Sequence, residues 1–332
     1  METIWLTEVG ITQFFQNAGA WLLLPMQLIT FLGNEQFYML VMPALYWCVD
    51  SVLGLRVGVM LLTSGILNGT AKLIFKSPRP YWFDEQIAAH SSESSFGMPS
   101  GHAMNSISVW GLLAASIRKK SVTVILAVII FLIGISRIFL GVHFTSDVLV
   151  GLLLGALLLI VFLHVEKKVA AWVSRLTLGQ FAAIMFLISL AIIAITALII
   201  RANVDWRIPS AWITNAMEAA PEGEIDPFSL DGTITNAAVL FGLAIGAVWM
   251  NRRGGFNAGG VWWMRLLRFA IGVSGVLLFW AGLGMVFPDS ADLFGFALRY
   301  IRYALTGLWI SAGAPFLFVR FNLAGKKETK EG

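Results

Sequence analysis

Apolar residues run in long, nearly uninterrupted blocks along this chain, and polar positions fall in short clusters between them. The blocks at 36–50, 53–75, 102–117, 121–141, 144–165, 179–200, 233–250, 266–287 and 303–321 approach the roughly 20 apolar residues that carry an α-helix across a bilayer. The first is short and the last two have soft boundaries, so nine spans are expected, with eight or ten as the neighbouring counts. Residues 1–33 differ. Trp5, Phe14, Phe15, Trp21 and a leucine run are broken by Glu2, Glu8 and Pro25, which predicts an amphipathic helix in the membrane interface.

Composition agrees with the pattern. The chain has 332 residues, 58% hydrophobic and 13% charged, against about 25% charged in a soluble domain. The expected fold class is an all-α, polytopic membrane helical bundle. A single cysteine, Cys48, excludes an internal disulfide framework and a paired-thiol metal site. The net charge of +4 reads as loop residues that set topology, and no nucleic-acid partner is expected. No basic N-terminal region precedes a small-residue cleavage site, so no cleaved signal peptide is expected.

The basic residues orient the bundle. Arg56, Arg118-Lys119-Lys120, Lys167-Lys168 with Arg175, Arg252-Arg253 and Lys326-Lys327 fall in alternate loops or at the C-terminus, whereas 201–232 carries two arginines against six acids. By the positive-inside rule the N-terminus is outside and the C-terminus inside.

Three polar clusters then stand out: Lys72 with Arg79-Pro80, Pro99-Ser100-Gly101-His102, and Ser136-Arg137 with His143 and Asp147. The predicted topology brings all three to the outer face. Alone, each has a plain structural reading. Lys72 and Lys76 can snorkel to headgroups, Arg79-Pro80 can stop a helix, and Pro99-Ser100-Gly101 can be a turn and N-cap. A helix start rich in free N–H groups is also an anion site. Arg137 is harder to account for, because it lies between apolar residues and needs an anionic partner. His143 and Asp147, four apart at the start of a span, are expected on one helical face. There Asp147 fixes the imidazole tautomer and leaves the other ring nitrogen free to attack phosphorus. His90, in a serine-rich loop, is expected to be solvated, and His164 lies at the opposite face. Tyr81, Trp82 and Phe83 read as an interfacial aromatic belt. Arg299 and Arg302 have either the acidic 201–232 segment or lipid phosphate as partner.

In order and spacing the clusters resemble the signature of the type-2 phosphatidic acid phosphatase (PAP2) superfamily: K-x6-RP, PSGH and SR-x5-H-x3-D, with every position met. The resemblance covers roughly residues 34–166. It implies a PAP2-type catalytic core there, after the interfacial segment 1–33 and before additional transmembrane helices in 167–332. It implies that His143 is the nucleophile that forms a phosphohistidine, with Asp147 holding it, and that His102 is the general acid and then the base. Lys72, Arg79 and Arg137 are implied to clamp the phosphate, helped by Ser100 and the Gly101 N–H. No cofactor or metal is implied.

The runs Gly33–Tyr38 and Pro43–Trp47 are similar to the sphingosine-1-phosphate phosphatase and glucose-6-phosphatase branches. The activity implied is hydrolysis of a lipid phosphate or polyprenyl (di)phosphate, with membrane lipids as surroundings and a bacterial plasma membrane as the location. Two other readings stand beside it: a lipid-to-lipid phosphotransferase, and a lipid transporter or scramblase with a vestigial site. Gly151 with Gly155 and Gly242 with Gly246 suit close helix packing or a homo-oligomer.

Overall fold

A computed structural model of the chain describes residues 2–288 and 290–326; Met1, Asp289 and residues 327–332, including Lys327, lie outside the described residues. The helices in chain order are α1 (Glu2–Gln16), α2 (Leu23–Phe31), α3 (Glu35–Cys48), α4 (Ser51–Phe75), α5 (Pro80–Phe83), α6 (Gly101–Ile117), α7 (Lys120–Phe139) and α8 (Thr145–Arg175). They continue with α9 (Leu178–Ala202), α10 (Ser210–Ala219), α11 (Asp231–Arg252), α12 (Trp262–Leu277), α13 (Leu283–Val286), α14 (Leu293–Leu308) and α15 (Ala314–Arg320). There is no strand among the described residues.

Every one of the nine apolar blocks contains a helix, but only six helices among the described residues are long and apolar enough to cross a membrane. The shortfall lies in α3 (14 residues), α6 (17) and α14 (16). Local chemistry explains the ends. Asp50 Oδ1 accepts from the backbone N–H groups of Val52 and Leu53 at 2.8 and 3.0 Å, which starts α4 just after α3 has stopped. Ser100 N-caps α6, and Arg118 closes it with a left-handed backbone, φ 55°. The stretches 278–282 and 309–313 are π-helical, so the later blocks are interrupted rather than continuous helices.

The chain divides into two compact units. The first comprises residues 1–38, 67–162 and 196–229. Its apolar centre contains Tyr81, Trp82, Phe96, Phe139, Leu140, Val142 and Phe144, with Trp206, Trp212 and Phe228 packed against it. Several sequence expectations are corrected here. Tyr81 and Trp82 are core residues, 2% and 0% exposed, and not a lipid-facing belt. His90 is stacked on Phe139 with ring centroids 5.8 Å apart, so it is packed and not merely solvated. Lys76 does not snorkel freely: its ammonium donates to Asn203 Oδ1 at 2.6 Å and lies 5.5 Å from the Trp206 ring centroid. The acidic segment 201–232 is folded, carrying α10 and sending three aromatic rings into the centre, because its indoles and Phe228 bury more area than an open loop could.

The second unit comprises residues 39–66, 163–195 and 230–332. Here α11 and α14 pack backbone to backbone. A Cβ on Gly242 would lie 2.0 Å from Ala304 O, and one on Gly307 would lie 2.4 Å from Val239 O. Gly246 is equally closed off by Ser311 and Ala312. The Gly242–Gly246 pair is thus occupied inside the chain and offers no free face to a second copy. Carbonyls of the π-helical stretch are met by side chains: Trp47 Nε1 donates to Ile310 O at 2.8 Å and the Tyr46 hydroxyl to Ser311 O at 3.0 Å. Arg299 pairs with Asp231 at 2.9 Å, so its partner is the acidic segment and not lipid phosphate, and Arg302 lies over the Tyr303 ring at 4.7 Å.

Gly242→Val is expected to lower stability by about 1–3 kcal/mol or more, the cost of overpacking a closed contact. Gly232→Ala, whose Cβ meets nothing within 4 Å, should leave the melting temperature in detergent unchanged.

Candidate active site

All eight residues singled out for chemistry belong to the first unit. Lys72 sits in the last turn of α4, Arg79 is the N-cap of α5, and Arg137 lies in the last turn of α7. Chain ends of three helices therefore aim cations inward, and all three are buried: 8%, 0% and 2% exposed. A buried charge must be met by acceptors. A strap at residues 93–96 supplies most of them. Lys72 Nζ donates to Phe96 O at 2.6 Å and Ser95 Oγ at 2.9 Å. Arg79 donates through Nε to Ser95 O at 2.7 Å and through Nη2 to Phe96 O at 3.1 Å, while its Nη1 reaches Val142 O at 2.9 Å. Arg137 Nη1 donates to Thr30 Oγ1 at 2.9 Å, and its Nη2 pairs with the Glu93 carboxylate.

His143 lies in the turn between α7 and α8. Its Nδ1 is 3.3 Å from Asp147 Oδ2, and its Nε2 is 3.3 Å from Arg79 Nη1. Asp147 Oδ2 accepts from Nδ1–H and the Arg79 guanidinium can only donate, so the lone pair resides on Nε2, where it accepts from Arg79. One expectation is corrected in detail. His143 precedes the first residue of α8, so the pair does not share a helical face. Asp147 instead folds back, its Oδ2 also accepting from Phe144 N–H at 2.9 Å. Burial, followed by the charges of Arg79 and Arg137, holds the His143 imidazole well below its ordinary pKa, which keeps it neutral at neutral pH.

Ser100 and Gly101 are set a step away from the cations. Ser100 N donates to Asp147 O at 2.9 Å, and its hydroxyl accepts from Ala103 N–H as the α6 N-cap. A Cβ on Gly101 would come 3.1 Å from Asn68 Oδ1. Neither is bonded to Lys72, Arg79 or Arg137. His102, second in α6, has its Nε2 paired with Asn34 Oδ1, and Gly33 leaves the room for its ring.

Glu93, Thr30, Asn34 and Glu8 were missed by sequence reasoning. Glu8, in the second turn of α1, accepts from Ser146 N–H at 2.7 Å and Ser146 Oγ at 2.8 Å, so a helix far away in sequence caps the start of α8. The acid interrupting the apolar pattern of 1–33 was the available signal for Glu8. Nothing periodic marks Glu93, which is a lone acid in a serine run.

Two family models match the chain: "PAP2 superfamily" over residues 53–171, and "PAP2 superfamily phosphatase, transmembrane extension" over residues 234–326. Phosphatidylglycerophosphatase B of Bacillus subtilis (strain 168) is 35% identical over 176 residues, which is 50% of this chain and 77% of that protein. The chain belongs to the PAP2 superfamily. As a PAP2 protein it is an integral membrane enzyme of a phosphatase family. Human glucose-6-phosphatase 3 is 31% identical, over 48% of this chain and 53% of that one. Human sphingosine-1-phosphate phosphatase 2 is 29% identical, over 39% of this chain and 34% of its own length. The match therefore spans about half or less of these two PAP2 relatives. The crystal structure of the transmembrane PAP2-type phosphatidylglycerolphosphate phosphatase from Bacillus subtilis is 31% identical, covering 51% of this chain and 88% of that one, with a TM-score of 0.44.

Glu8→Ala removes both acceptors from the start of α8 and is expected to cost about 1–2 kcal/mol, the upper range for loss of a helix cap. Thermal unfolding in detergent measures it, and an unchanged midpoint would show that α1 does not brace α8.

Proposed function

We propose that the protein is a metal-independent phosphatase that hydrolyses a lipid phosphate or polyprenyl (di)phosphate through a phosphohistidine on His143. The observation that carries this reading is the arrangement of the imidazole: a buried carboxylate at Nδ1, a buried arginine at Nε2, and two further cations converging on the same place. His143 Nε2 attacks phosphorus, forming the P–N bond as the bond from phosphorus to the lipid oxygen breaks. His102 gives its proton to the leaving oxygen. Water then attacks phosphorus, His102 takes the proton, the P–N bond breaks and inorganic phosphate leaves. Charge from Lys72, Arg79 and Arg137 offsets the charge on the equatorial oxygens, the task a metal performs in other phosphoryl-transfer sites. Ser100 and Gly101 contribute through the start of α6, whose free N–H groups favour an anion. The names of the relatives, phosphatidylglycerophosphatase and sphingosine-1-phosphate phosphatase, support a lipid headgroup as substrate, since a site at helix ends meets a headgroup while the tail stays in the bilayer.

The decisive assay is phosphate release from a panel of lipid phosphates in detergent with chelator present. His143→Ala should lower the rate about a thousandfold or more, and chelator should leave the wild type active. Because the His143 pKa lies below the usual 6.5, the acid limb of kcat/KM should lie below that pH, where the imidazole protonates and loses its lone pair, while loss of the His102 proton sets the alkaline limb. Full activity in His143→Ala, or loss of activity with chelator, would sink the mechanism.

The face is proposed from the loop charges: the site lies outside, with the N-terminus outside and the C-terminus inside. A cysteine at the exposed position Ser92, in a Cys48→Ser background, should react with an impermeant thiol reagent in intact cells. Labelling only after permeabilisation would reverse the orientation.

A further inference from the structure

The clamp is not open. Glu93 stands in it, its carboxylate paired with Arg137 and 3.9 Å from Arg79 Nη2. The two arginine side chains are 2% and 0% exposed, whereas the Glu93 side chain is 28% exposed. The cations are thus fixed and the carboxylate is the partner at the mouth. Backbone contacts separate its anchoring from its charge. The Tyr81 hydroxyl bonds to both Glu93 N–H (3.2 Å) and Glu93 O (3.3 Å), and Ser95 and Phe96 hold Lys72 and Arg79. A turn about the Glu93 side-chain bonds releases the guanidinium of Arg137 without moving the strap.

The carboxylate is ionised whenever the clamp is empty. Burial opposes its charge, but Arg79, Arg137, His102 and Lys72 outweigh burial and hold its pKa far below the ordinary glutamate value. An anion arriving in the clamp therefore meets a resident anion, and two negative groups at that distance repel.

Resting on the reading of Lys72, Arg79 and Arg137 as the phosphate clamp, we propose that Glu93 is a specificity-determining residue: an internal competitor that substrate phosphate must displace. The consequence is selectivity for phosphates that bring further binding energy. A lipid phosphate gains it from its tail, whereas inorganic phosphate and short soluble phosphomonoesters do not. When the clamp is competent for only a fraction of the time, apparent affinity falls by that fraction. The same competition helps expel the product, because Glu93 returns as phosphate leaves.

The test measures inhibition constants for inorganic phosphate and orthovanadate, with a lipid phosphate as substrate, in wild type, Glu93→Gln and Glu93→Asp. Glu93→Gln keeps the shape and removes the charge, so both constants should fall by about tenfold or more. Turnover of p-nitrophenyl phosphate should rise relative to the lipid substrate. Glu93→Asp retains the charge with a shorter reach and should give an intermediate constant, which decides the matter if the glutamine variant does not fold. If Glu93 only positions Arg137, the glutamine variant binds both oxyanions more weakly or equally, and the inference is overturned. Insensitivity of both the wild type and Glu93→Gln to either oxyanion would count instead against the phosphate-clamp reading itself.

Discussion

Three cations buried among apolar helices set the terms for everything around them. Removing one ion from water costs several kcal/mol even after relaxation, so Lys72, Arg79 and Arg137 require acceptors on every side. The strap 93–96, Val142 O, Thr30 Oγ1 and the Glu93 carboxylate provide them. Segments distant in sequence must therefore meet at this point, or the cations would drive the fold apart. The same shared need orders the histidine. Arg79 Nη1 contacts Val142 O and His143 Nε2 alike, so one guanidinium orders both the proposed clamp and the proposed nucleophile.

The surrounding chain is best understood as support for that cluster. α1 places Glu8 under the start of α8, directly before Asp147. Gln16 donates to Ala88 O and Phe139 O, which ties the end of α1 to the loop after α5 and to the end of α7. The 201–232 segment closes over Phe96 with Trp206 and Phe228, at centroid distances of 5.5 and 5.4 Å, and Asp226 N–H donates to Ser94 O at 3.1 Å. The strap that carries Glu93 is in this way held from both flanks, leaving mainly side-chain freedom at its charged member.

In the second unit a different constraint governs. α11 and α14 approach closely enough that main-chain atoms fill the places of missing side chains at Gly242 and Gly307. Within a membrane such contact is driven by packing, since lipid tails are as apolar as leucine and hydrophobicity does not discriminate between them. The π-helical carbonyls at Ile310 and Ser311 gain donors from Trp47 and Tyr46, so the irregular backbone is paid for inside the protein rather than exposed to hydrocarbon.

The sequence by itself determined the membrane class and the helical blocks, because long apolar runs are legible from composition, and the spacing of its motifs singled out the eight candidate residues through their resemblance to a family signature. It also located the boundary residue Ser100, whose capping chemistry is local. Tertiary structure alone decided the rest. Glu93, Thr30, Asn34 and Glu8 act over separations of 44, 107, 68 and 138 residues, and no periodicity encodes such pairs. Tyr81 and Trp82 read as an interfacial belt in the sequence, and only the fold shows them buried, with rings of the 201–232 segment packed against the same core. Gly242 and Gly246 likewise fit an internal or an external partner until α14 and the π-helical stretch after it occupy their face. An ion in a low-dielectric site announces that it needs a partner; which residue answers depends on where the chain folds back.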